Sequence, residues 1–105
     1  MATGILGQSA PAAATNTTVY TVPGAGVSRA VFNVSMVNTS GAPVTVRLAI
    51  ASTGTPGIAE YFEYDTVLPG NGVLERGGIV AQTGENVVAY SSAATVSVSV
   101  YGYEE

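Results

Sequence analysis

The chain alternates in short runs. Residues 29–38, RAVFNVSMVN, put Ala30, Phe32, Val34 and Met36 on one side and Asn33 and Ser35 on the other. Residues 44–51, VTVRLAIA, set Val44, Val46, Leu48 and Ile50 against Thr45, Arg47 and Ala49. A period of two marks a half-buried strand, because successive side chains leave opposite faces of the pleat. Residues 18–22, 60–68, 87–91 and 95–103 read the same way, the last with Val96, Val98 and Val100 on one face. Residues 73–76 and 79–81 read as one strand interrupted by Gly77-Gly78. Between the runs stand turn formers: Pro23-Gly24, residues 40–43 (SGAP), 52–57 (STGTPG), 69–72 (PGNG) and 83–86 (TGEN). Asn71-Gly72 is a strong hairpin signal, since both residues tolerate a positive φ.

About seven strands at intervals of roughly 10 residues, with no helical period, predict an all-β, antiparallel sandwich, Ig-like or jelly-roll-like. One-sided alternation predicts two sheets, each with one wet face. Phe32, Val34, Val44, Val46, Leu48, Ile50, Val96 and Val98 are the expected core. Residues 1–17 carry no period and few large apolar side chains beyond Ile5 and Leu6. They are expected to form an extended N-terminal arm ahead of a sandwich domain at 18–105. Such an arm is expected to order only against a neighbouring subunit; the alternative is that it forms the first edge strand.

Composition narrows the chemistry. The chain has 105 residues, a length that suits one domain. It has neither Cys nor His, so disulfides and Ser-His-Asp or Cys-His nucleophile systems are excluded. The usual zinc and iron sites lose their main ligands. The only cations are Arg29, Arg47 and Arg76, and the net charge is −4, which disfavours nucleic acid and anionic membrane as partners. The first residues have no basic or continuous apolar segment of the secretory kind.

The acids are unevenly placed. Glu60, Glu63, Asp65 and Glu75 fall within sixteen residues of a chain that is 10% charged. Strand alternation sets Glu63 and Asp65 on one face, about 7 Å apart. That spacing suits a carboxylate dyad or an oxygen-ligand cation site. Both need a cleft, which a sandwich this small seldom has. We read the cluster as a solvated strand face that keeps the sheet soluble and blunts edge pairing. Gly24-Ala25-Gly26 is a turn without a phosphate-binding helix behind it. The sequons at Asn16, Asn33 and Asn38 read as ordinary strand and loop asparagines.

Three stretches together resemble a family. They are GILGQSAPAAATNTTVYTVP (4–23), AEYFEYDTVLPGNGVLERGGIV (59–80) and VVAYSSAATVSVSVYGYEE (87–105). With Gly7-Gln8 and Pro11, Tyr20 to Pro23, Tyr61 with Tyr64-Asp65, and Val96 to Gly102, the chain resembles small virion structural proteins of tailed bacteriophages, of the marine and cyanobacterial type. The resemblance spans nearly the whole chain, and its motifs are structural. It implies a non-enzymatic β-sandwich carried on a virion that is assembled in the host cytoplasm. Its implied partners are other capsid or tail subunits, met in many copies or as a homo-oligomer. Decoration or cementing of the capsid surface is the preferred role. A tail, neck or baseplate attachment or fibre protein is the alternative, and a glycan-binding sandwich is the alternative of another class. Ile5, Leu6, Gln8, Tyr101 and Tyr103 are the expected assembly contacts. No catalytic residue, cofactor or metal is expected.

Overall fold

The structure, a computed structural model, describes residues 2–105. It is a sandwich of two four-stranded antiparallel sheets. The strands are β1 (Thr3–Ser9), β2 (Thr17–Thr21), β3 (Arg29–Asn38), β4 (Val44–Ala51), β5 (Tyr61–Leu68), β6 (Val73–Gln82), β7 (Asn86–Ser91) and β8 (Val96–Glu104). The only helical element among the described residues is one 3₁₀ turn, Ile58–Glu60.

Sheet A has the order β1-β8-β3-β6 and sheet B the order β2-β7-β4-β5. Six of the seven connections therefore cross between sheets, and β4–β5 alone stays within one. That winding is a jelly roll, the second of the two sandwich types the sequence left open. Residues 73–82 form one strand across Gly77-Gly78. Within the segment expected to be an arm, Thr3–Ser9 is extended and paired along β8, as the edge strand of sheet A. With it the sandwich has eight strands rather than seven.

The core forms where the inward rows of β3, β4, β7 and β8 meet. Phe32, Val34, Met36, Val46, Leu48, Val87, Val96, Val98 and Val100 are all fully enclosed. Tyr20 packs edge to face on Phe32 across the sheets, with ring centroids 6.0 Å apart, a geometry that suits the ring quadrupoles. Ile50, expected in the core, is half-buried, because it lies near the open end of β4. At the other end, three turns converge on Asn38, which is fully buried. Its amide donates to the carbonyls of Ala42 at 2.7 Å and Pro69 at 3.2 Å, and its Oδ1 accepts from Ser40 N and the Thr95 hydroxyl, both at 3.1 Å. A buried polar side chain is tolerable only when satisfied in this way. Asn38 is thus a structural tie, and its sequon lies inside the fold.

Regularity divides centre from edge. The β3–β8 and β4–β7 pairings run without a register shift. Each pairing of an edge strand is shifted, and in every case the edge strand holds the extra residue. Bulges twist an edge away from flat pairing with another chain.

Candidate functional site

The acidic stretch is taken apart by its own strand. β5 slips register twice against β4, between Val46 and Leu48 and again between Leu48 and Ala49. Asp65 sits in the left-handed region at φ 49°. The expected alternation of Tyr61, Glu63 and Asp65 on one face is therefore broken. Glu63, opposite the core residue Leu48, turns between the sheets and pairs with Arg76 of β6. This ion pair closes the side of the sandwich where the edge strands β5 and β6 face each other. Inward charges of this kind also guard an edge. Asp65 turns out and binds Arg47 Nε at 2.6 Å. Glu60 accepts backbone N–H from Gly57 at 2.8 Å and Ser52 at 3.1 Å, and these bonds hold its carboxyl below the usual range. Glu75 accepts the Tyr101 hydroxyl at 2.6 Å.

The four acids thus serve four different partners: Asp65 and Glu75 stay exposed, as a solvated face requires, while Glu60 and Glu63 are half-buried and held by their bonds. Among the described residues no three His, Cys, Asp or Glu side chains are grouped to hold a metal. The remaining acids are also engaged. Glu85 accepts from Gln82 N at 2.8 Å and Glu105 from Arg29 at 3.1 Å. Glu104 accepts from the Tyr20 hydroxyl at 2.5 Å and from Ala2 N at 2.8 Å, and both donors lower its pKa. Glu104 therefore ties the start of the chain and β2 to β8.

Part of the outer face of sheet B is covered by its own chain, while Val67 and Tyr64 of its edge strand β5 stay 64% and 49% exposed. Loop 52–57 reaches back across β7 to β2, where a side chain added at Gly54 would lie 3.5 Å from Thr18 Oγ1. Beneath it Ala49, Ala51 and Val88 point outward yet are buried, with Tyr61 packed against them. Beside this cluster the Arg47 guanidinium lies between Tyr64 and Tyr90, 4.3 Å from each ring centroid. Tyr61 meets Tyr64 edge on at 4.9 Å.

The outer face of sheet A is bare. Its side chains stand in rows set by the register: Thr3, Tyr103, Val31 and Val80; then Ile5, Tyr101 and Asn33; then Gln8, Ser99, Ser35 and Glu75. Ile5, Val80 and Tyr103 are 58%, 59% and 44% exposed. Four of the five expected contact residues, Ile5, Gln8, Tyr101 and Tyr103, come together here. Leu6 does not. It lies in the bulge of β1 between Ile5 and Gly7 and faces the core, against which it is packed. Alternation alone sets Leu6 opposite Ile5; the bulge is what brings Gln8 onto the same face as Ile5.

The sequence reading missed a feature on this face. Opposite Asn33, the extra residue of β6 leaves Gly77 and Gly78 where a side chain would otherwise stand. The result is a depression of about 200 Å³ lined by Asn33, Glu75, Arg76, Gly77 and Tyr101. The only signal for it in the sequence is the glycine pair inside a strand.

Comparisons of the chain with protein-family models, with curated proteins and with solved structures give no match.

Proposed function

We propose that the chain is a non-enzymatic structural protein of a tailed-phage particle, carried in many copies and decorating or cementing the capsid surface. The bare outer face of sheet A is the observation that carries this reading. It offers exposed Ile5, Val80 and Tyr103, with half-buried Val31 among them, as an apolar band bordered by Gln8, Ser99 and Glu75. An apolar, tyrosine-bearing centre with a polar rim is the composition of an interface. The bulged edge strands favour docking through this face over strand addition at an edge. The engaged acids and arginines leave little free chemistry for catalysis. The resemblance in the sequence supplies the particle as the partner, and repetition over many copies turns a modest contact into firm retention.

The test is co-sedimentation of purified protein with particles assembled without it. Tyr103→Ser combined with Val80→Ser should fold normally and reduce retention on the order of tenfold or more, since loss of an aromatic anchor weakens an interface by at least about 1–2 kcal/mol. Undiminished retention of the double variant removes the sheet A face as the contact. Absence of the protein from purified particles by mass spectrometry removes the function itself.

A further inference from the structure

The depression beside the apolar band has a chemistry of its own. Tyr101 and Asn33 are direct neighbours across the β3–β8 pairing, and Glu75, Arg76 and Gly77 come from the bulged edge strand. The bulge makes the space. A Cβ on Gly77 would lie 2.7 Å from Asn33 Oδ1, so a side chain there would collide with the wall. Asn33 Oδ1 accepts from Gly78 N at 3.2 Å, which fixes the amide and leaves its NH₂ for the Tyr101 hydroxyl or a ligand. Glu75 accepts from Tyr101 through Oε2 at 2.6 Å, and its Oε1 takes no donor from the described residues. Arg76, on the inward row opposite Val34, uses Nε on Glu63 and Nη1 on the Glu75 carbonyl.

The site therefore offers a donor from Asn33, an acceptor from Glu75, and the side of an aromatic ring. The adjacent charges of Glu75 and Arg76 oppose each other, so neither a simple anion nor a simple cation is selected. A ligand that both donates and accepts, is neutral, and has an apolar face for the ring meets these terms. We propose that the depression is a binding site for one ring of a saccharide. Its hydroxyls would bridge Glu75 Oε1 and the amide nitrogen of Asn33 while the ring lies against Tyr101. A few convergent polar groups around an apolar wall is the usual build of a small-ligand site, and the volume admits a single ring. This inference goes beyond the attachment reading and does not depend on it.

The experiment uses the full-length protein labelled with ¹⁵N and titrated with the methyl glycosides of glucose, galactose, mannose and N-acetylglucosamine. At least one should give saturable amide shifts centred on Asn33, residues 75–78 and Tyr101. The expected dissociation constant is on the order of 1–10 mM, as befits so few ligand atoms. Tyr101→Ala and Glu75→Gln should each weaken binding at least tenfold, while Val80→Ser, which impairs attachment, should leave it unchanged. Glu75→Gln keeps the size of the side chain, so its loss of binding can be read even if Tyr101→Ala disturbs the sheet. No saturable shift with any of the four up to about 100 mM overturns the proposal. So do shifts that survive both variants.

Discussion

Val88 and Val80 are the same residue, each on the outward side of its sheet, and they live in different worlds. Val88, on sheet B, is 2% exposed; Val80, on sheet A, is 59% exposed. The difference lies in what the connections do. The β4–β5 connection, tied down by Glu60, folds over the outside of sheet B. No such cover lies on the row of Val80, Val31 and Tyr103. Sheet B covers the β4–β7 centre of its outer face with its own loop and holds an arginine between two tyrosines, leaving its β5 edge, with Val67 and Tyr64, exposed. Sheet A leaves Ile5, Val80 and Tyr103 of its outer face exposed. A strand's outward row is thus not wet by default; it is wet only when the chain supplies no lid.

The contrast breaks most sharply at Val88. Val88→Ser puts a hydroxyl under the loop and removes two methyl groups from a closed cluster. It should lower stability by about 2–3 kcal/mol, combining lost burial with an imperfectly paired polar group. Urea denaturation measures this directly. A change no larger than that of Val80→Ser would mean that the loop does not seal sheet B.

Most of the sandwich was legible because the central strands obey one rule. β3, β4 and β8 alternate cleanly, and each of them pairs with a neighbour without slipping. Phe32, Val34, Val46, Leu48 and Val98 are therefore buried as their period requires. The rule fails at the edges, where an extra residue resets which side chain faces in. In β5 two slips separate Glu63 from Asp65, so four acids that look like one cluster become four separate bonds. In β6 the same event at Gly77-Gly78 creates the depression. The lid on sheet B was hidden for a different reason. Residues 52–57 are a run of turn formers, and turn chemistry says where a chain bends but not what it then covers. Of the residues expected as contacts, Tyr101 and Tyr103 share a face because they lie on the unslipped β8, whereas Leu6 directly follows Ile5 and so faces the other way by alternation.

Glu60 gives a finer handle on the lid. It holds the loop through the backbone of Gly57 and Ser52, and those donors lower its carboxyl pKa. A folded-state value below the unfolded one stabilises the native state fully above the ordinary carboxylate range. That contribution is lost as the pH falls through the lowered value. Glu60→Gln should therefore lower the melting temperature at neutral pH and speed amide exchange across residues 52–57. The gap to wild type should close as the pH falls through that lowered value and Glu60 itself becomes protonated. Glu104 is also held low, by Tyr20 and Ala2. Some acid lability should thus remain in the Glu60→Gln protein and vanish only when Glu104→Gln is added. A gap between Glu60→Gln and wild type that stays constant with pH would mean that the carboxylate's charge does not hold the loop.

The smallest effect on stability is the one that separates the faces most cleanly. Val80→Ser exchanges an exposed apolar side chain for a polar one on an edge strand. Nothing from the chain covers it, so little burial is lost. The expected change is within about 0.5 kcal/mol of zero, the range of surface substitutions away from special features. Tyr103→Ser should cost more, on the order of 1 kcal/mol, because more than half of the residue is covered between Thr3 and Val31. The two residues lie in one row across sheet A, joined through Val31. Their changes should add within error in the isolated protein, because neither props up the other. On particles they should not add, because both would belong to one buried contact. A double-mutant cycle run twice, once on unfolding and once on retention, separates the two situations. Coupling on the particle but not in the free protein assigns the face to a partner. Coupling in the free protein alone would mean that the row serves the fold, and sheet A would then be as self-contained as sheet B.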